Sequence, residues 1–303
     1  MAASGAGIET EVDGRRLKLS NLDKVLYPEV GFTKGEVIDY YARIAAVALP
    51  HYEGRCITFR RYPDGVEGPS FFEKRSPDHR PDWIGTALGP GDRKGGIHYL
   101  VIDEVATLAW VGNMAALEVH APMARAVDID VPTMVVFDLD PGPSAGMVDC
   151  CRVALDIRDV LVDLDLEAWA KTSGSKGLQL YLPLNTPHTH EHASSFALAV
   201  AQLLEKQDPK RVTSVMKKDL RRGKVFVDWS QNSHHKTTVA VYSLRARPTP
   251  TVSTPVTWDE VASGADGAVL SFTAPEVLER VADRGDLFAP TATLEQELPR
   301  PRS

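Results

Sequence analysis

Two aspartates one residue apart on an apolar strand are the sharpest chemical feature of this 303-residue chain. Val135-Val136-Phe137-Asp138-Leu139-Asp140-Pro141 alternates in a way that puts Val135, Phe137 and Leu139 on one face and Asp138 and Asp140 on the other. Two carboxylates about 4 Å apart repel by roughly 4 kcal/mol at an effective dielectric near 20. A cation removes that penalty, whereas a solvated strand end merely tolerates it. A third acid, Asp228, closes the apolar run Lys224-Val225-Phe226-Val227, where Phe226 and Asp228 share a face. If the two strands are neighbours, three carboxylates converge. Oxygen-only ligands suit two divalent ions, Mg²⁺ or Mn²⁺, as used in phosphoryl transfer.

Further residues could handle phosphate. Thr172-Ser173-Gly174-Ser175-Lys176-Gly177 lies between two apolar runs. Its glycines would let backbone N–H groups approach an anion, with the charge of Lys176 and the hydroxyls adding to them. The spacing is not that of a Walker A loop, and a plain polar hairpin fits it equally well. His120, after Leu117-Glu118-Val119, could reach a triphosphate or serve as a hydrogen-bonded structural histidine. His188, His190 and His192, and the tandem His234-His235, read as solvated histidines rather than metal ligands.

The elements that position these groups follow from periodicity. Ile8 to Leu19 reads as a hairpin turning at Asp13-Gly14. Thr33 with Glu36 forms a capping box that starts a helix through Val37, Tyr40, Tyr41, Ile44 and Val47. Arg55 to Tyr62 and His98 to Ile102 read as strands. Asp103 is expected to cap a helix running through Ala116. Thr133 to Asp140, Leu166 to Thr172, Leu178 to Leu184 and Lys224 to Trp229 are strands. Met147 to Leu164, His192 to Lys206 and Pro275 to Asp283 are helices. Mixed order without a regular βα repeat indicates an α+β, mixed-sheet architecture. One catalytic domain over 8–288 is expected, with disordered tails at 1–7 and 289–303.

Composition sets bounds. Apolar residues make up 43% and charged residues 25%, values of a soluble globular chain. Three cysteines, Cys56, Cys150 and Cys151, have no zinc-ligand spacing and point to a reducing cytoplasm. No membrane span or leader is expected. The net charge of −7 is uneven. Thr251 to Ser303 carries nine acids against four bases, while Leu203 to Lys224 carries eight bases against three acids. Nucleic-acid binding depends on such local fields rather than on the total.

The strings Leu22-Asp23-Lys24-Val25-Leu26-Tyr27-Pro28, Phe71-Phe72-Glu73-Lys74, Leu117 to His120, Phe137 to Pro141, Thr172 to Gly177, Val225 to Asn232 and Tyr242-Ser243-Leu244-Arg245, in this order, resemble the polymerase domain of bacterial ligase D within the archaeo-eukaryotic primase superfamily. The resemblance implies a primase-polymerase core of two closely packed lobes. It implies Asp138, Asp140 and Asp228 as ligands of two Mn²⁺ or Mg²⁺ ions, and His120, Ser173, Lys176 and Arg245 as nucleotide and phosphate contacts. Arg221 and Gln231 would shape that site, with Arg60 nearby, and Phe71 and Phe72 would stack on bases. Asn21, Lys24 and Lys34 would grip a DNA 5′-phosphate.

The implied activity is template-directed extension of a primer 3′ end on gapped or primer-template DNA, with ribo- or deoxyribonucleoside triphosphates, in short-gap or end-joining repair. A separate ligase and end-binding proteins are the implied partners, since no K-x-D-G nucleophile motif is present. Three departures from the family pattern stand out: Gln179 where histidine is usual, Arg60 in a region where lysine is common, and a short Met123 to Pro132 segment. A metal-dependent D-x-D glycosyltransferase and a non-catalytic DNA-end-bridging module are the rival readings.

Overall fold

The computed structural model describes residues 7–91 and 95–299. The chain divides into two compact units. One comprises Met1–Ala121, Val239–Val252 and Phe272–Asp286, and the other Pro122–Thr238, Ser253–Ser271 and Leu287–Ser303.

In the first unit the hairpin pairs Ile8–Val12 with Arg15–Leu19. Asp13 and Gly14 both take positive φ, 48° and 75°, as a two-residue turn between right-twisted strands demands. The helix Lys34–Tyr52 starts with the expected capping box, in which Thr33 and Glu36 satisfy each other's backbone N–H. Its buried stripe includes Val37, Tyr40, Tyr41 and Ile44, and the Tyr40 and Tyr41 hydroxyls donate to the Tyr242 and Leu117 carbonyls. A sheet holds Ala116–Pro122 beside Thr58–Arg61, which in turn pairs with Phe71–Glu73. The expected Asp103-capped helix is shorter. It spans Val105–Asn113 with Glu104 at its N-cap, and it stops because Ala115 turns to φ 54°.

The second unit is built on a six-stranded sheet. Its order is Val212–Thr213, Val225–Asp228, Met134–Pro141, Leu178–Pro183, Trp169–Thr172, Pro255–Val256. The first pair is parallel and the others are antiparallel, so the sheet is mixed. Val135, Phe137 and Leu139 are fully buried, and Phe137 meets Phe196 of the helix His190–Gln207 edge-on at 6.4 Å. The helix Met147–Val162 also packs on this strand, with Cys150 Sγ against the Leu139 carbonyl. The acidic face is thereby left on the other side.

Two expectations need correction. The helix Trp258–Ala265 was not foreseen, although Thr257 and Glu260 form its capping box. The C-terminal tail was expected to be disordered from 289. Instead Ala289–Ala292 forms a 3-10 turn, and Gln296 N donates to the Leu184 carbonyl at 2.8 Å. The Gln296 side chain takes Glu167 N and gives to the Glu167 and Pro183 carbonyls. A polar side chain that completes the backbone of two neighbouring segments holds this stretch despite its Pro- and Thr-rich composition. Residues 1–6 and 300–303, the rest of the expected tails, lie outside the described residues.

Candidate active site

The sheet register settles the geometry of the acids. Asp138 pairs directly with Asp228, and Asp140 with Phe226. Cross-strand partners face the same side of a sheet, as do residues two apart on one strand. Asp138, Asp140 and Asp228 therefore share one face. On the opposite flank Asp138 pairs with Gln179, and Gln179 with Lys171. Lys171, Gln179, Asp138 and Asp228 thus form one row across adjacent strands.

Each acid is differently held. Asp228 Oδ1 accepts from Ser230 N at 3.0 Å and Ser230 Oγ at 2.6 Å, and Oδ2 accepts from Gln231 Nε2 at 3.0 Å. Gln231, expected near the nucleotide, thus orients a carboxylate. Burial, then the Asp140 charge, pushes the Asp138 carboxyl up to about 7, with Asp228 adding and Gln179 and the Lys171 charge opposing. Asp140 is raised by burial and by Asp228, and Arg221 opposes. The guanidinium of Arg221 lies 3.7 Å from the centre of the Phe226 ring, beside Asp140's partner, and donates to the Met216 carbonyl.

These carboxylates repel one another across adjacent strands, with Asp138 and Asp228 half-buried and Asp140 exposed. That excess of negative charge, carried by hard oxygen donors, fits a divalent cation of the Mg²⁺ or Mn²⁺ kind. Among the described residues no three His, Cys, Asp or Glu side chains form a ready-made ligand set. Asp228 is held by Ser230 and Gln231, Asp138 is flanked in register by Gln179, and Asp140 has the charge of Arg221 nearby.

The glycine-rich loop joins Trp169–Thr172 to Leu178–Pro183. Its conformation is organised by Ser173, whose Oγ accepts from Ser175 N at 3.2 Å and Gly177 N at 3.1 Å. Two of the loop's N–H groups are thereby satisfied within the loop by Ser173. Lys176 is exposed at the loop tip. Gly177 is obligatory, because a Cβ there would stand 2.2 Å from the Leu139 carbonyl oxygen.

Sequence reasoning missed three residues here. Asn232 is fully buried and exchanges hydrogen bonds with both Val136 N and Val136 O, both 2.8 Å, tying the Trp229–Asn232 turn to the acidic strand. Lys171 is fully buried. Gln179 was noted only as a departure. The histidines read as solvated differ in exposure: His235 is exposed, and His190, His192 and His234 are half-buried. His188 is buried, and His190 reaches the Asn232 and Ile129 carbonyls with its two ring nitrogens.

The first unit carries its own polar cluster. Glu118, 3% exposed, accepts from His120 Nε2 at 3.1 Å and Arg245 Nε at 3.2 Å. Burial alone would raise its carboxyl, but His120, Arg245 and the Ala246 N–H bring it down to about 2. His120 is lowered by burial, against the opposing Glu118 contact. Phe72 meets His120 edge-on at 5.6 Å, and Arg60 lies 5.3 Å from the centres of both the Phe72 and Tyr62 rings. Phe71 instead stacks under Arg61. Neighbours on a strand point to opposite faces, so both rings are exposed but they share no platform.

Lys34 is 6% exposed and donates to the Ser20 carbonyl at 2.7 Å. Burial first, then Lys24 and Arg61, lowers it to about 8. Lys24 is exposed and pairs with Asp64 at 2.9 Å, while Asn21 takes φ 53°. A buried ammonium pressed by two other cations favours an anion nearby.

A mixed α+β core with three acids in register across adjacent strands defines a nucleotidyltransferase of the primase-polymerase class. A sequence profile of the LigD primase-polymerase domain matches residues 33–288. The chain is 49% identical over 278 residues to the multifunctional non-homologous end joining protein LigD of Mycolicibacterium smegmatis, covering 91% of this chain and 36% of that protein. It is 30% identical to the bifunctional LigD of Bacillus subtilis, over 90% of this chain and 44% of that one. It thus spans less than half the length of these relatives. The polymerase domain from Mycobacterium tuberculosis ligase D in complex with DNA superposes with a TM-score of 0.86 at 45% identity, over 91% of this chain and 98% of that one. The chain belongs to the LigD primase-polymerase domain family.

Proposed function

We propose that this chain extends a primer 3′ end on gapped or broken DNA, as the polymerase component of short-gap or end-joining repair. The observation that carries the reading is the direct pairing of Asp138 with Asp228, with Asp140 on the same face. Asp138, Asp140 and Asp228 would hold divalent cations, two in the reading made from sequence. Such cations neutralise charge on the attacking and leaving oxygens when nucleotide is joined to primer.

The chain's own groups have distinct tasks. Ser230 and Gln231 orient Asp228, and Gln179 orients Asp138. Asn232 fixes the turn that carries Gln231. Lys176 and Arg221 supply positive charge for phosphates on this unit, and Ser173 shapes the loop. On the other unit we assign nucleotide contacts to His120, Arg245 and Arg60, and base stacking to Phe72 and Phe71. His120, lowered by burial, acts as a neutral hydrogen-bonding group at pH 7. We assign DNA 5′-phosphate binding to Asn21, Lys24 and Lys34.

Ribo- and deoxyribonucleoside triphosphates are the proposed substrates, and a separate ligase and end-binding proteins the proposed partners. A cytoplasmic setting is in keeping with the absence, among the described residues, of any helix long and apolar enough to cross a membrane.

Asp138→Ala tests the reading. It should abolish Mn²⁺-supported primer extension while gapped-DNA binding persists. Undiminished extension by that variant defeats it.

A further inference from the structure

Lys171 stands two strands away from the acidic strand, in the row that contains Asp138. Its burial is complete. Its Nζ donates to Gln179 Oε1 at 2.5 Å and to Ser253 Oγ at 2.6 Å, and it lies 5.2 Å from the centre of the Tyr181 ring. Gln179 and Ser253 are both neutral groups. Taking an ammonium out of water costs several kcal/mol, and a methionine of similar volume could fill the same space without that cost.

What the cation supplies is direction. A lysine ammonium has three donors and no acceptor. Gln179 must therefore turn its Oε1 toward Lys171. That leaves Nε2, which is only a donor, facing the neighbouring strand, where Gln179 pairs in register with Asp138. Without Lys171 the amide is free to flip. Its carbonyl oxygen would then face the Asp138 carboxylate, lone pair against lone pair. Asp138 would lose the one neutral donor on its flank, next to the charges of Asp140 and Asp228.

We propose that Lys171 is a positioning residue of the cation site, acting through the Gln179 amide to aim and hold the Asp138 carboxylate while touching neither ion nor substrate. The inference rests on the cation-site reading of Asp138, Asp140 and Asp228 given above. Outer partners of this kind typically alter metal affinity by ~10- to 100-fold when removed.

The experiment measures Mn²⁺ binding to the protein alone, without nucleotide or DNA, from the loss of the free ion's electron paramagnetic resonance signal. Wild type, Asp138→Ala, Lys171→Met and Lys171→Gln are compared, with thermal denaturation alongside. Wild type should bind, and Asp138→Ala should not. Lys171→Met should melt within a few degrees of wild type yet bind Mn²⁺ about 10- to 100-fold more weakly. Lys171→Gln keeps a donor for Gln179 Oε1 and should recover most of the affinity. In primer extension the half-saturating Mn²⁺ should rise by the same factor in Lys171→Met, with the KM for primer-template unchanged.

Equal binding by wild type and Asp138→Ala overturns the cation-site reading and this inference with it. Loss in Asp138→Ala with wild-type affinity in Lys171→Met overturns the inference alone, since a merely structural lysine would shift melting and leave Mn²⁺ binding where it was. Should Lys171→Met fail to fold, Gln179→Leu takes its place. That change cuts the link on the Asp138 side, so the same loss is expected, and unchanged affinity overturns the proposal.

Discussion

Asp138→Asn should make the metal-free protein more stable at pH 8 while removing its activity. At that pH the folded protein must hold an ionised Asp138 beside Asp140 and Asp228, whereas the unfolded chain ionises the same carboxyl at its ordinary value. The repulsion relieved is roughly 4 kcal/mol, the energy of two unit charges about 4 Å apart at an effective dielectric near 20. Asparagine keeps the shape and removes the charge. Its flank remains satisfied, because its Oδ1 still accepts from Gln179. Relaxation of Asp140 and Asp228 absorbs part of the difference, leaving about 2–4 kcal/mol. Unfolding entropy near 2.1 cal/mol/K per residue over 303 residues gives ~0.6 kcal/mol/K, so Tm should rise by about 3–6 °C.

The pH dependence has a definite sign. The folded value is raised, so between about pH 4 and pH 7 the native state keeps a proton that the unfolded chain has lost. Wild-type stability therefore falls across that window, and the penalty is complete above it. The advantage of Asp138→Asn should vanish near pH 4 and be full at pH 8. Thermal melts in chelator at both pH values measure it, and adding Mn²⁺ should stabilise wild type but not the variant. A variant that melts lower than wild type at pH 8 would refute the reasoning, because it would mean the neighbours support this charge rather than oppose it.

Further predictions concern other parts of the chain. Glu118→Gln should cost about 3 kcal/mol at pH 7 in urea titrations, since it removes the buried charge beside Arg245 and turns one of the two accepting oxygens into an NH₂ that faces a donor. Because the folded carboxyl is held down near 2, that stabilisation is present above about pH 4.5 and is lost as pH falls toward 2. Lys34 is lowered to about 8, so any preference for 5′-phosphorylated over 5′-hydroxyl gapped DNA should decline between pH 7 and 9. Lys34→Arg should preserve the preference across that range, as competition binding at fixed salt would reveal. Gln296→Ala should destabilise by about 1–2 kcal/mol in denaturant titration, since it removes side-chain partners from Glu167 and Pro183.

The acids were legible because strand alternation is a short-range rule. It placed Asp138 with Asp140 and Asp228 with Phe226, and the register then needed only to bring two strands together. Capping boxes were equally plain, and the one at Thr257 and Glu260 could have revealed the missed helix Trp258–Ala265. Lys171 was not legible. Within Trp169–Thr172 it is an ordinary strand residue, and its meaning comes from pairing with Gln179, which in turn pairs with Asp138. Phe71 and Phe72, adjacent in sequence, point to opposite sides of the sheet, which only the strand pairing shows. The tail beyond 289 was misjudged for a related reason. Composition registers the prolines and threonines but not a glutamine that bonds to the Glu167 and Pro183 backbone. Nor could local pattern foretell that Ser173 would satisfy two of the loop's N–H groups.

Crystals of the protein soaked in Mn²⁺, with data collected at the manganese absorption edge, test the central claim most directly. An anomalous peak bonded to carboxylate oxygens of Asp138, Asp140 and Asp228 is expected, at about 2.1 Å as for other hard six-coordinate ions, and no such peak in Asp228→Asn. Manganese bound elsewhere with these three side chains left unliganded, or an unchanged peak in the variant, would contradict it.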